Sequence, residues 1–213
     1  PAFGIDVRGV FNQQLLVFSL VIGFGGAFIS LAFSKQMARA MLSCQQITQP
    51  RSHAEHVIFG SVQEIAQRLH ITMPEVWIYD SPDPNAFATG PSKNNSMVAV
   101  STGLLQNLKE EEVKAVLAHE MGHVYNGDMF TTTVLAGLMN TFVYYISNFI
   151  SHLIAQPSQD REEGSASNPF LAMIVYFFLQ VVLTILASIV IGWHSRRREF
   201  AADAFAAKVY GKD

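Results

Sequence analysis

The sequence is short of charge. Only 15% of its 213 residues are charged, while 50% are hydrophobic. A soluble domain of this size needs a more charged surface, so the composition argues for a membrane protein. Excess charge of one sign is lacking too. A net charge of −3 leaves no basic footprint, and no nucleic-acid partner is expected. Cysteine is nearly absent: Cys44 stands alone, which excludes an internal disulfide and a thiolate zinc site and fits a reducing compartment. The chain begins at Pro1 rather than at a methionine, and a fragment or a processed chain is expected.

Three long stretches hold no Asp, Glu, Lys or Arg: 9–34, 129–159 and 164–195. About 20 mostly apolar residues cross a bilayer as a helix. Transmembrane helices are therefore expected at 11–34, 129–155 and 170–193. The middle stretch also carries Asn140, Ser147, Asn148, Ser151 and His152, so an amphipathic or buried helix is its alternative. The first is too long for a signal-peptide core and no A-x-A site follows it. Gly23, Gly25 and Gly26 suggest close helix packing there. Charge sets the orientation. Residues 35–128 and 194–213 hold 12 Lys and Arg, against only Arg8 and Arg161 on the other side. The positive-inside bias puts the first group in the cytoplasm and makes 156–169 a periplasmic loop.

The polar region 35–128 reads as a small α+β domain. Residues 53–70 repeat apolar side chains at helical spacing. EVWIYD (75–80) alternates and ends at Pro-Asp-Pro-Asn, as a strand does. NAFATG (85–90) and SMVAVSTG (96–103) are further strand candidates. A second helix is expected over about 110–126, with Glu110, Glu111 and Glu112 in its first turn, where carboxylates suit the helix dipole.

That helix contains His119-Glu120-Met121-Gly122-His123. Histidines at i and i+4 lie one above the other, so both imidazoles can reach one Zn²⁺. The glutamate between them sits where it can take a proton from an activated water and pass it to a leaving amine. This is the HExxH spacing of metalloproteases. Val113, Val116, Leu117, Met121 and Val124 make the apolar stripe, and Glu120 falls within it. A buried carboxylate there is costly without a compensating cation. A catalytic zinc normally takes three protein ligands. Glu199 in RRREFAAD (196–203) is the best third candidate, with Asp203 one helical turn on to hold a ligating imidazole by a hydrogen bond. His194 competes but has no carboxylate at i+4, and Arg196 to Arg198 could instead be a membrane anchor with Glu199 as their salt-bridge partner.

HEMGHVYNGD (119–128), two hydrophobic segments, then REFAAD (198–203) resembles the HtpX-type membrane zinc proteases, gluzincins related to the CAAX prenyl endopeptidases. NAFATG and MVAVSTGLLQNL (97–108) are similar to that family's segments ahead of the zinc helix. The resemblance implies an integral membrane protein with a small zincin-like α+β protease domain at 35–128, completed by a cytoplasmic helix at 194–213. It implies one Zn²⁺ per chain on His119, His123 and Glu199, Glu120 as base, and Asp203 supporting a ligand. It implies a heat-shock-linked quality-control enzyme of the bacterial inner membrane, cutting misfolded membrane proteins. An exposed strand edge would hold peptide by backbone hydrogen bonds, and Asn85, Ala86, Phe87, Ala88 and Thr89 are the expected edge. The family has another span ahead of this first one and a further soluble stretch beyond, both missing here, so a chain that binds zinc yet cleaves poorly is expected.

Other residues are set aside. His53 and His56 read as a solvated face, His152 as hydrogen-bonded within a bundle. Two other functions compete: a specific processing protease of the prenyl-endopeptidase type, and a non-catalytic membrane adaptor whose zinc only holds the fold. A structural site would have no need of Glu120.

Overall fold

The computed structural model describes residues 13–155 and 169–210. All but the last residue of the loop expected over 156–169 lies outside them, as do the chain ends. The chain divides into two compact units. One comprises residues 1–28 and 134–192, the other 29–133 and 193–213.

In the first unit the structure is helical: parts of α1 (Gln13–Ala32), α6 (Asp128–Ala155) and α7 (Pro169–Tyr210). All three helices are long and apolar enough to cross a membrane. Small residues set how closely they pack. A Cβ on Gly23 would lie 2.2 Å from Thr141 Oγ1, and one on Gly137 would lie 2.4 Å from the Phe24 ring, so α1 and α6 meet nearly backbone to backbone. Gly25 and Gly26 have no such neighbour within 4 Å. The polar side chains that weakened the middle segment as a span are partly absorbed. Ser147 is fully buried, Asn148 Nδ2 donates to the Tyr144 carbonyl at 2.9 Å, and Ser151 Oγ donates to Ala172 O on α7 at 3.0 Å. Thr141 returns its hydroxyl to Gly137 O, one turn back. Phe177, Phe178, Val181, Ile185 and Ile189 point outward, as lipid-facing residues do.

The second unit carries a four-stranded sheet in the order β1 (Gln45–Gln46), β2 (Glu75–Tyr79), β4 (Asn95–Ser101), β3 (Ala86–Ser92). β2 and β4 are parallel, and the other pairs are antiparallel. β4 is central and is buried on both faces. Val98 and Val100 join Ile58, Val62, Ile65, Leu117 and Met121 in the main core, while Met97 and Ala99 turn to Tyr79 and Phe87 on the other side. Helices α3 (His53–Arg68) and α5 (Glu110–Asn126) supply the main core's other wall. Ser52 caps α3, accepting the Glu55 N–H. The expected strand at 96–103 stops at Ser101, whose hydroxyl caps the short helix α4 (Thr102–Asn107). Gly90 (φ 147°) turns where a Cβ would strike Asn95 O at 2.3 Å, so this bend in β3 requires glycine.

Two elements differ from expectation. The span expected at 170–193 and the described part of the helix expected from residue 194 are one continuous α7 of 42 residues, ending at Tyr210. A short amphipathic helix, α2 (Ser34–Leu42), follows α1 directly. From it Lys35 and Arg39 both grip Glu75 of β2, with the Trp77 indole N–H on the same carboxylate at 3.1 Å. Partial burial raises the Glu75 carboxyl, but Lys35, Trp77 and Arg39 outweigh it and hold it below the usual glutamate range.

Glu75→Gln should therefore lower stability at neutral pH by about 1 kcal/mol or less. Because the folded pKa is depressed, that contribution is present above the unfolded value near 4.5 and fades as pH falls through the folded value. Thermal unfolding of both chains at pH 7 and pH 3 checks it: the difference at pH 7 should shrink at pH 3.

Candidate metal centre

α5 begins with a carboxylate-rich turn, and Glu112 Oε2 accepts the Lys109 main-chain N–H at 2.7 Å. It ends at Gly127 in the left-handed conformation (φ 69°), after which α6 starts at once. Between those ends Leu117, Ala118, Met121 and Val124 are fully buried, which fixes the helix rotation. His119, Glu120 and His123 are left half-buried at the rim.

The two Nε2 atoms lie 3.2 Å apart, and Glu199 Oε2 from α7 stands 3.3 Å from His119 Nε2 and 3.5 Å from His123 Nε2. Ligand atoms around a tetrahedral ion with bonds of about 2.0–2.1 Å are spaced by about 3.3–3.4 Å. The triangle has that size. Both other ring nitrogens face carboxylates: His119 Nδ1 lies 2.9 Å from Asp203 Oδ1, and His123 Nδ1 lies 2.6 Å from Asp128 Oδ2. With each Nδ1–H donated to a carboxylate, the two Nε2 lone pairs face each other and a third anionic atom. A cation at their common point resolves that repulsion. His119, His123 and Glu199 thus fit a metal ion by donor type and spacing. Among the described residues His194 does not join this group, and Glu199 faces the imidazoles rather than its neighbouring arginines.

Glu120 is not part of the triangle. Its Oε2 accepts the Ala88 N–H of β3 at 3.0 Å. Burial pushes its carboxyl above the usual glutamate range, against the opposing pull of His123, His119 and the Ala88 N–H. β3 lies at an open edge of the sheet. Asn85 precedes the strand, and its N–H and C=O are both engaged by Ser101. Ala86 to Thr89 run along the edge itself. A cleft of about 400 Å³ opens here, lined by Ala88, Thr89, Glu120, His123, Arg198 and Glu199 among others. His53 pairs with Glu110 at 3.4 Å and forms no metal group with His56.

The family model described as "Peptidase family M48" matches residues 53–213. The chain belongs to peptidase family M48. Protease HtpX of Tolumonas auensis is 49% identical over 212 residues, covering 99% of this chain and 72% of that relative. Protease HtpX of Alkalilimnicola ehrlichii is 48% identical over 210 residues, covering 99% of this chain and 67% of that one. The crystal structure of Ste24p from S. mikatae superposes with a TM-score of 0.67 at 17% identity, over 91% of this chain, and shares its fold. The chain spans 48% of that larger chain. This M48 metallopeptidase is therefore a bacterial membrane protein with a site able to hold a metal.

Four features of the site were not read from the sequence: Asp128 on His123, Arg198 on Asp128, the Ala88 N–H on Glu120, and the role of Gly122. Asp128 stands five residues after His123 and beyond a helix end, so helical spacing does not bring it to the ring. Gly122 lacks the Cβ that would lie 3.1 Å from the Phe205 ring and 3.3 Å from Ala202 Cα, and this lets α7 pass close over α5. Gly122→Val should lower stability by roughly 1–3 kcal/mol through overpacking and displace Glu199. Reduced metal content beside a lowered unfolding temperature, with a smaller change for Gly122→Ala, would bear this out.

Proposed function

We propose that this chain is the core of a zinc-dependent endopeptidase, with His119, His123 and Glu199 holding one Zn²⁺ and Glu120 as the proton carrier. The observation that carries this reading is the tetrahedral spacing of the three ligand atoms, with a buried carboxylate beside them. When bound, the ion supplies a Lewis acid that activates water and polarises the peptide carbonyl. Glu120, which lines the cleft, takes the proton of the attacking water on its carboxylate, then delivers it to the departing amine nitrogen. Asp128 and Asp203 keep each imidazole in the Nδ1–H form, leaving Nε2 free to ligate.

The edge strand from Ala86 to Thr89 is suited to bind substrate as an added strand, through main-chain groups and with little demand on sequence. That mode fits unfolded chains. Together with the three membrane-competent helices and the bias of 12 Lys and Arg toward residues 35–128 and 194–213, it supports a site on the cytoplasmic side of the bacterial inner membrane. Quality control of misfolded membrane proteins is the role we assign.

Glu120→Gln should keep zinc and lower cleavage of an unfolded protein by at least about 100-fold. Cleavage that persists with zinc bound would remove Glu120 from the chemistry. Zinc at about 100 times its dissociation constant should stabilise the metal-free chain by about 2.7 kcal/mol. An unfolding temperature unmoved by added zinc would count against the ligand set.

A further inference from the structure

Resting on the reading of His119, His123 and Glu199 as a zinc centre, we infer that Arg198 is a positioning residue: it fixes the Asp128 carboxylate that aims His123 Nε2 at Glu199. Three consecutive arginines follow the apolar part of α7. Arg196 and Arg197 are exposed, and Arg197 lies over the Trp193 ring at 4.0 Å. Arg198 turns inward, with only 17% of its side chain exposed. Its Nη1 donates to the main-chain oxygen of Asp128 and stands 3.8 Å from Asp128 Oδ1. One nitrogen thus donates to the main chain of a buried residue and lies in ion-pair range of its carboxylate. Thr132 Oγ1 donates to the same main-chain oxygen at 2.7 Å, so two side chains converge on that carbonyl. The other carboxylate oxygen, Oδ2, is the one on His123 Nδ1.

The contacts run from His123 through Asp128 to Arg198, and one peptide bond leads on to Glu199. Two ligands from different elements are therefore tied together through a route that does not include the ion. His119 differs: its ring is held by Asp203, which is itself on α7. Both imidazoles are oriented from α7, one directly and one by way of Arg198. Lysine would bring the same charge. It would also avoid the buried Arg198 Nε, which has no hydrogen-bond partner among the described residues. What the guanidinium adds is a planar head whose terminal nitrogen donates to the Asp128 main-chain oxygen while its delocalised charge stands 3.8 Å from the Asp128 carboxylate.

The test uses the full chain in detergent, with zinc affinity measured by competition against a chromophoric chelator. Arg198→Ala should weaken zinc by about 10-fold or more, the usual effect of losing a group behind a ligand. Arg198→Lys should restore only part. In an Asp128→Asn background the same Arg198→Ala change should cost less than about 2-fold, because its route to the ring is already broken. Melting curves in chelator separate this from general destabilisation, and Arg198→Gln, which keeps bulk, replaces the alanine variant if that fails to fold. Zinc affinity within about 2-fold of the parent in Arg198→Ala or Arg198→Gln would overturn the inference, as would an equal loss in both backgrounds. A parent chain that takes up no zinc would instead overturn the metal centre itself, and this inference with it.

Discussion

Four carboxylates crowd two imidazoles at one end of α5. Glu120, Asp128, Glu199 and Asp203 all lie within reach of His119 and His123, and Arg198 stands 3.8 Å from the Asp128 carboxylate. Glu199 and Asp203 keep part of their hydration, but Asp128 and Glu120 are largely buried, and burying carboxylates without compensating positive charge is costly. A divalent ion at the point shared by two Nε2 lone pairs and one carboxylate oxygen reverses the balance. The surrounding architecture serves to keep those donors at ligand spacing.

Rigid elements do that work. α5 is pinned by fully buried Leu117 and Met121 against the sheet, so its rim residues cannot rotate away. α7 continues unbroken from an apolar segment into the residues that bear Glu199 and Asp203, and its far end enters the same core through Phe205, Ala206 and Val209. A helix held at that end presents its carboxylates with little freedom. Gly122 permits the close approach, and β3 brings a main-chain N–H to Glu120. The carboxylate proposed as proton carrier is thereby tied to the strand proposed to bind substrate.

Membrane residence imposes a different economy on the other unit. Lipid offers no partners for polar groups, so several hydroxyls there return to their own helix or cross to the next one, while the buried Ser147 hydroxyl finds no partner among the described residues. Ser19 donates to Leu15 O at 2.7 Å, Thr141 to Gly137 O, and Ser151 to Ala172 O. Apolar burial drives little association in such surroundings. Close packing at Gly23 and Gly137 takes its place.

Much of this was legible in the sequence, because local rules govern it. Charge-free stretches of sufficient length mark helices that can cross a bilayer. The i, i+4 spacing of His119 and His123 puts two rings on one face, and alternation marks β2. What the sequence could not supply were relations between elements that no periodicity encodes. The parallel pairing of β2 with β4, the single α7 where two segments were expected, the hold of Asp128 on His123 across a helix end, and the inward turn of Arg198 alone among three arginines each depend on where distant backbone lies. Glu199 could be nominated from its neighbours' chemistry. Its approach to within 3.5 Å of both imidazoles was decided by the packing of α7 over Gly122. Local patterns select residue types and faces, whereas the distances on which metal chemistry depends are set by packed helices and sheet.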